Sequence, residues 1–200
     1  MNAVLYIHGK GGSAEESEHY TPLFPGCKVI GLDYVHFTPW EAGKEIKEAA
    51  LRLKKDYKNI IIIANSIGAY FSMHSDIEND VSRAFFISPI VDMEKLIDDM
   101  MRFANVSEEK LKDKGTVLTD FGEELSWEYL CYARKHPVKW SVKTDILYGE
   151  KDNLTSIETV TAFAISRGAS LTVMQNGEHW FHTEEQMRFL DEWIVGKMRL

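Results

Sequence analysis

The sequence is poor in the features that mark secreted, nucleic-acid-binding and membrane-bound proteins. Its two cysteines, Cys27 and Cys131, are too few and too far apart for a disulfide framework, which favours a reducing compartment. The net charge is −8 at pH 7. Because polyanions are bound by basic surfaces, this charge disfavours nucleic acid and anionic membrane as partners. There is no internal repeat and no low-complexity tract.

The amino terminus also lacks a charged leader and a long apolar segment. Residues 3–7 are instead typical of a buried strand, and together with the cysteine content this predicts a cytoplasmic protein. The overall composition is that of a globular chain, with 44% hydrophobic and 27% charged residues. A length of 200 residues fits one domain, 1–200, that is large enough to bury a core.

Apolar runs alternate with helical patterns along the chain, which is typical of an α/β fold with a doubly wound, mainly parallel sheet. Six runs have the length of buried strands: 3–7, 28–32, 60–64, 84–88, 145–149 and 170–174. Helical spacing of apolar residues is found at 40–57, 66–75, 156–167 and 184–197.

One connection is several times longer than usual, with roughly fifty residues between the fourth and fifth predicted strands. Helical patterns at 92–103, 107–114 and 122–134 predict a helical insertion at about 92–143. Its large apolar side chains include Met100, Met101 and Trp127. Ordinary packing of the inserted helices is the alternative explanation for each of them.

Ser66 lies at the centre of Ala64-Asn65-Ser66-Ile67-Gly68, between a predicted strand and a predicted helix. A serine on such a tight turn has its hydroxyl pushed clear of the backbone, as a nucleophile requires. The amide of Ile67 then lies at the helix N-terminus, where it could donate to an oxyanion. Ala64 departs from the pattern G-x-S-x-G, and a helix N-cap is the alternative role for Ser66.

An activated serine needs a histidine base and an acid that orients the histidine. Asp152 and His179 each follow a predicted strand, which gives the chain order Ser, Asp, His at the carboxyl ends of the strands. Two rivals remain: Asp92 also follows a strand, and His182 is close to His179 in the last loop. Metal binding by the two histidines would need further ligands, and none is evident, so we expect no metal.

A glycine-rich loop, His8-Gly9-Lys10-Gly11-Gly12-Ser13, follows the first predicted strand. Its glycines would let backbone amides turn toward the serine. Such loops also bind phosphates, but neither G-x-x-x-x-G-K-[ST] nor G-x-G-x-x-G is present.

These motifs, with Tyr148-Gly149-Glu150-Lys151-Asp152 and Gly177-Glu178-His179-Trp180-Phe181, make the chain resemble the α/β-hydrolase superfamily, as a small, bacterial-type, esterase-like member without the usual first hairpin. The resemblance implies Ser66 as nucleophile, His179 as base and acid, and Asp152 as its orienting carboxylate. It also implies that the Lys10 and Ile67 amides form the oxyanion hole and that the insertion is a lid over an apolar pocket. The candidate pocket residues are Trp127, Met100, Met101 and Trp180.

The expected function is therefore that of a serine hydrolase acting on a small carboxylic ester, with a thioester as the second choice. A small-molecule acyl substrate is the expected partner, no cofactor is expected, and the protein is expected to be a monomer or homodimer. A non-catalytic ligand-binding module on the same fold is one alternative. Carbon–carbon hydrolysis or perhydrolysis by the same three residues is the other.

Overall fold

The computed structural model describes residues 2–199, which form two compact units. The first unit runs to Val91 and resumes at Lys139, and the second is 92–138. The second unit overlaps the insertion predicted at about 92–143, and its role as a lid stays a prediction. None of the helices among the described residues is long and apolar enough to cross a membrane.

Most elements lie close to their predicted positions. The strands are β1 (Asn2–Ile7), β2 (Cys27–Leu32), β3 (Asn59–Asn65), β4 (Arg83–Ile87), β5 (Thr116–Leu118), β6 (Glu124–Ser126), β7 (Thr144–Gly149) and β8 (Ser170–Met174). The α-helices are α1 (Ser17–Tyr20), α2 (Pro39–Leu53), α3 (Ile67–Met73), α4 (Met93–Phe103), α5 (Glu108–Lys114), α6 (Trp127–Lys135), α7 (Ile157–Arg167) and α8 (Glu184–Met198). Short 3-10 turns at Ala14–Glu16 and Thr21–Leu23 flank α1.

The first unit is built on a six-stranded sheet in the order β2-β1-β3-β4-β7-β8. Every neighbouring pair in this sheet is parallel. The central strand β3 contains the run Ile60–Ile63, whose four side chains are all buried. Strands covered on both faces read as continuous β-branched runs rather than as alternating patterns. The predicted α/β class and the mainly parallel, six-stranded sheet are confirmed.

Helices cover both faces of the sheet. On one face α8 contributes Leu190, Trp193 and Ile194 to a cluster with Val4 and Tyr6 of β1. The same cluster takes alternate residues of the neighbouring strands, as side chains on one face of a strand must be two positions apart: Ile61, Ile63, Phe85, Ile87 and Leu147. Helices α2 and α3 pack against β1. The sheet is therefore the middle layer of three in this unit.

The second unit contains α4, α5, α6 and an antiparallel ribbon of β5 and β6. The helix predicted from residue 122 is wrong for its first five residues. Gly122 has a φ of 87° in a turn, β6 follows, and the helix begins only at Trp127. Arg134 of α6 forms ion pairs with Glu94 and Glu108, which join three helices of this unit.

Candidate active site

The serine turn between β3 and α3 has the strained geometry expected of a nucleophile. Ser66 has a φ of 52° and a ψ of −119°, a region that residues other than glycine rarely adopt. Its amide donates to the Ile87 carbonyl at 3.0 Å, and its own carbonyl accepts from the Ile90 amide at 3.1 Å. Ser66 occupies the N-cap position of α3, but its side chain makes no capping hydrogen bond.

Small residues are required where α3 passes β1. A Cβ added to Gly68 would lie 2.6 Å from the His8 carbonyl oxygen and 2.7 Å from that of Ile7, too close for any side chain. A Cβ added to Gly9 would lie 3.3 Å from Cβ of Ser66. The glycine-rich loop after β1 therefore lies directly beside the serine turn.

Three predicted side chains meet at the carboxyl edge of the sheet. Ser66 Oγ is 2.8 Å from His179 Nε2, and His179 Nδ1 is 2.6 Å from Asp152 Oδ2. The Asp152 side chain is 0% exposed and that of His179 is 14% exposed. The other Asp152 oxygen, Oδ1, accepts from the amides of Leu154 at 2.8 Å and Thr155 at 3.1 Å.

This arrangement selects one tautomer of His179. An ionised carboxylate can only accept hydrogen bonds, so Nδ1 of His179 must carry the proton that faces Asp152. Nε2 is then left with a lone pair directed at the Ser66 hydroxyl, which donates to it. The group can therefore take a proton from Ser66, the first step required of a serine nucleophile.

The two sequence rivals have other contacts. Asp92 is the N-cap of α4, where Oδ1 accepts from the Lys95 amide at 2.9 Å. His182 Nδ1 lies 2.7 Å from the Trp180 carbonyl oxygen and 3.5 Å from a Glu178 oxygen. Within residues 2–199 no group of three or more His, Cys, Asp or Glu side chains could hold a metal ion.

The two candidate oxyanion donors lie in the expected elements. Ile67 is the first residue of α3, so its amide has no acceptor within its own helix. Lys10 lies in the loop that Gly9 brings against Ser66, and Gly12 closes this loop by donating its amide to the Gly9 carbonyl at 3.1 Å. That these two amides bind an oxyanion stays a prediction.

The candidate pocket residues are divided between the two units. Met101 is buried, whereas Met100 and Trp127 are half-buried in the second unit. Trp180 belongs to the first unit, is 72% exposed and stacks on His182 with ring centres 4.7 Å apart. A groove of about 470 Å³ in the second unit is lined by five charged side chains with Met101 and Val106. Its charged lining does not suit an apolar acyl group, and the pocket assignment stays a prediction.

A polar chain behind the serine turn is not indicated by any motif. Asn65 donates from Nδ2 to the Tyr6 hydroxyl at 2.9 Å, and Tyr6 donates to a Glu16 carboxylate oxygen. The only sequence signals are a tyrosine inside the apolar run 3–7 and an asparagine immediately before Ser66.

Comparisons with known proteins agree with this fold. No family model matches the sequence. A Mycoplasma genitalium protein named "Putative esterase/lipase 3" is 27% identical over 125 residues, which is 56% of this chain and 43% of that protein. The chain thus spans less than half the length of this curated relative.

Solved structures match over almost the whole chain. Est1E from Butyrivibrio proteoclasticus superposes with a TM-score of 0.75 at 18% identity, covering 99% of this chain and 87% of that one. Mouse alpha/beta hydrolase domain-containing protein 10 superposes with a TM-score of 0.72 at 14% identity, covering 98% of this chain and 89% of that one. The chain therefore has the α/β-hydrolase fold. The resemblance that the motifs indicated is confirmed at the level of the fold, and Ser66 lies between β3 and α3 in it.

Proposed function

We propose that this α/β-hydrolase is a serine hydrolase that cleaves small carboxylic esters, with thioesters as second substrates. The observation that carries the proposal is the hydrogen-bond chain from Ser66 through His179 to Asp152, with distances of 2.8 and 2.6 Å. The name of the Mycoplasma relative, an esterase/lipase, supports an ester as the bond that is cleaved.

In the proposed first half-reaction, His179 Nε2 takes the Ser66 proton while Oγ attacks the substrate carbonyl carbon. The carbonyl oxygen becomes an oxyanion beside the Ile67 and Lys10 amides, and the ester C–O bond then breaks. His179 gives its proton to the leaving alcohol, which leaves an acyl group on Ser66. Asp152 stabilises the imidazolium that forms in between.

In the second half-reaction, water replaces the alcohol. His179 removes a proton from the water, the resulting hydroxide attacks the acyl carbon, and Ser66 leaves with the proton that His179 returns. The products are a carboxylic acid and free enzyme. General-base assistance of this kind contributes about 10² to 10⁴ in rate.

Labelling with a fluorophosphonate probe tests the serine directly. We expect the wild-type protein to take one label, at Ser66 by peptide mapping, and the Ser66→Ala variant to take none. Ser166→Ala is the matched control, because Ser166 is exposed on α7 and should leave labelling unchanged. A wild-type protein that takes no label would contradict the proposal and favour a binding module.

A panel of p-nitrophenyl esters of increasing chain length tests the bond that is cleaved. We expect turnover of the short members, which is lost in Ser66→Ala. A protein that is labelled at Ser66 but hydrolyses neither esters nor thioesters would point to carbon–carbon hydrolysis or perhydrolysis instead.

A further inference from the structure

The polar chain behind the serine turn connects two loops of the candidate site. We propose that Tyr6 and Glu16 are positioning residues, which act through Asn65 and Gly12 to hold the serine turn and the glycine-rich loop, residues 9–13, in fixed relation. The inference rests on the proposed function, because it assigns these residues a role in that same site. Neither residue needs to touch substrate.

The direction of the hydrogen bonds is determined by what each group can donate. A phenol has one proton, and Tyr6 gives it to the Glu16 carboxylate, which can only accept. The Tyr6 oxygen must therefore accept from Asn65, and Nδ2 of Asn65 donates to it at 2.9 Å. This fixes which way the Asn65 amide is turned, immediately before the strained Ser66.

Tyr6 is a dependable donor because its surroundings keep the phenol protonated. The residue is buried in β1, and its ring contacts Tyr20 with centres 5.2 Å apart. Burial raises the pKa of the Tyr6 phenol far above its ordinary value, and Tyr20 and the Glu16 carboxylate raise it further. The phenol therefore keeps the proton that it donates to Glu16.

Glu16 also contacts the glycine-rich loop on its other side. A Cβ added to Gly12 would lie 2.8 Å from one Glu16 oxygen and 3.0 Å from the other, so the carboxylate lies against Cα of Gly12. Gly12 is hydrogen-bonded to Gly9, and Gly9 lies against Ser66. The contacts therefore close a ring that starts and ends at the serine turn.

Such a ring of contacts would hold the strained serine turn in place. A serine with φ of 52° keeps that conformation only where its surroundings hold it. An oxyanion hole divided between the loop and the start of α3 works only while both are correctly spaced, and a displacement of about 1 Å can cost about 10²-fold in rate. The chain from Asn65 to Gly12 spans the two parts that have to stay in place.

Steady-state kinetics on four variants test the proposal. We expect Tyr6→Phe and Glu16→Ala to lower kcat for a p-nitrophenyl ester about 10- to 100-fold, with KM changed less than about twofold. Glu16→Gln should keep most of the activity, because its amide oxygen still accepts from Tyr6. Glu15→Ala is the matched control on the same turn and should behave as wild type.

Rescue by glutamine separates positioning from general stabilisation. If Glu16→Ala lowers the unfolding free energy but leaves kcat within about twofold of wild type, or if Glu16→Gln loses as much activity as Glu16→Ala, the proposal is overturned. The Glu16 variants decide the question even if Tyr6→Phe fails to fold. Glu16 is an exposed residue, so we expect its substitution to leave the fold intact.

Hydrogen exchange gives a readout that does not depend on turnover. We expect the amides of residues 9–13 to exchange faster in Glu16→Ala than in wild type or Glu15→Ala. Unchanged exchange would overturn the positioning role. A wild-type protein without any hydrolase activity would defeat the proposed function alone, and the exchange result would still decide whether Glu16 orders the loop.

Discussion

The backbone amide of Lys151 donates to the carbonyl of Gly177 at 2.7 Å, so the loop that carries Asp152 is hydrogen-bonded to the loop that carries His179. The backbone amide of Glu150 likewise donates to the carbonyl of Met174 at 3.0 Å. These two bonds continue the pairing of β7 with β8 beyond the end of the sheet. The spacing of Asp152 and His179 is thus set by main-chain hydrogen bonds as well as by the contact between their side chains.

Substitution of Gly149 tests this spacing, because the Cα of Gly149 faces the loop that carries His179. A Cβ there would lie 2.4 Å from the Glu178 carbonyl oxygen and 2.7 Å from the Gly177 carbonyl carbon. We expect Gly149→Ala to lower the unfolding free energy by about 2 kcal/mol through overpacking. We also expect kcat to fall about 10-fold or more, because the loops must separate.

Gly196→Ala is the control for Gly149→Ala. Gly196 lies in α8 with open space around its Cβ position, so alanine should raise stability by up to about 1 kcal/mol and leave kcat unchanged. Ester hydrolysis and urea denaturation measure both effects. A Gly149→Ala protein with wild-type kcat would contradict the close packing of the two loops.

Asp152→Asn should separate orientation of the imidazole from stability. The asparagine oxygen can still accept from the Leu154 and Thr155 amides, so we expect stability to stay within about 1 kcal/mol. Its NH₂ group would face His179 and favour the tautomer with the proton on Nε2, which cannot accept from Ser66. We expect kcat for p-nitrophenyl acetate to fall about 10³-fold or more.

Asp92→Ala is the matched comparison for the acid. It should leave kcat within about twofold and remove only the α4 cap, at a cost of about 1 kcal/mol. If Asp92→Ala lost as much activity as Asp152→Asn, the assignment of the acid would have to change.

Asp145 is a buried ion-pair partner that should make stability depend on pH. Burial opposes its ionisation, but hydrogen bonds from Ser170 and Arg83 and the charges of Arg83 and Lys197 outweigh it and lower the pKa of the carboxyl. The folded pKa therefore lies below the unfolded value of about 3.9. Ionised Asp145 stabilises the fold at neutral pH, and that contribution is lost as the pH falls below about 4.

We expect Asp145→Asn to lower the unfolding free energy by about 3 kcal/mol at pH 7, because Arg83 loses its buried partner. The difference from wild type should shrink toward pH 3, as measured by urea denaturation. Asp76→Asn is the control: Asp76 is 88% exposed beside Lys47 and should change stability by less than about 1 kcal/mol. A pH-independent difference for Asp145→Asn would contradict the assignment.

Ser88 immediately follows β4, the strand next to β3, and combines two unfavourable features. Its φ is 43°, and its hydroxyl is buried without a hydrogen-bond partner among residues 2–199. Ser88→Gly relieves both, and we expect the unfolding free energy to rise by about 1 kcal/mol despite the greater freedom of the unfolded chain. Ser166→Gly, in ordinary helical geometry, should instead lower it by about 0.5 kcal/mol. A lower unfolding free energy for the Ser88→Gly protein than for wild type would mean that the hydroxyl has a stabilising role.

Much of the fold could be predicted because its signals are local. The run of isoleucines in β3 predicts a strand at 60–64, and the observed strand, Asn59–Asn65, is one residue longer at each end. Thr183 caps α8 by accepting from the Gln186 amide, and Gly168 ends α7 in the left-handed conformation, as threonine and glycine commonly do at these positions. The meeting of Ser66, Asp152 and His179 could be predicted because each of them follows a strand of a parallel sheet.

The features that the sequence did not predict are short strands and contacts between residues far apart in the chain. Strands β5 and β6 have three residues each, too few for a period of two to stand out from a helical pattern. Tyr6 and Asn65 are 59 positions apart, and each looks ordinary in its own window. Only the parallel pairing of β1 with β3 brings them together.

The hydrogen-bonded pair of Ser66 and His179 is separated by 113 positions in the chain. During synthesis on the ribosome, the serine turn can therefore leave the exit tunnel with β1 to β4 long before the His179 imidazole is available to it. If Ser66 acts as proposed, the nascent polypeptide would carry an inert hydroxyl until β8 and the following loop with His179 have been translated and β8 has joined the sheet. Truncations that remove β8 should likewise give no reactive serine, however well the first four strands assemble.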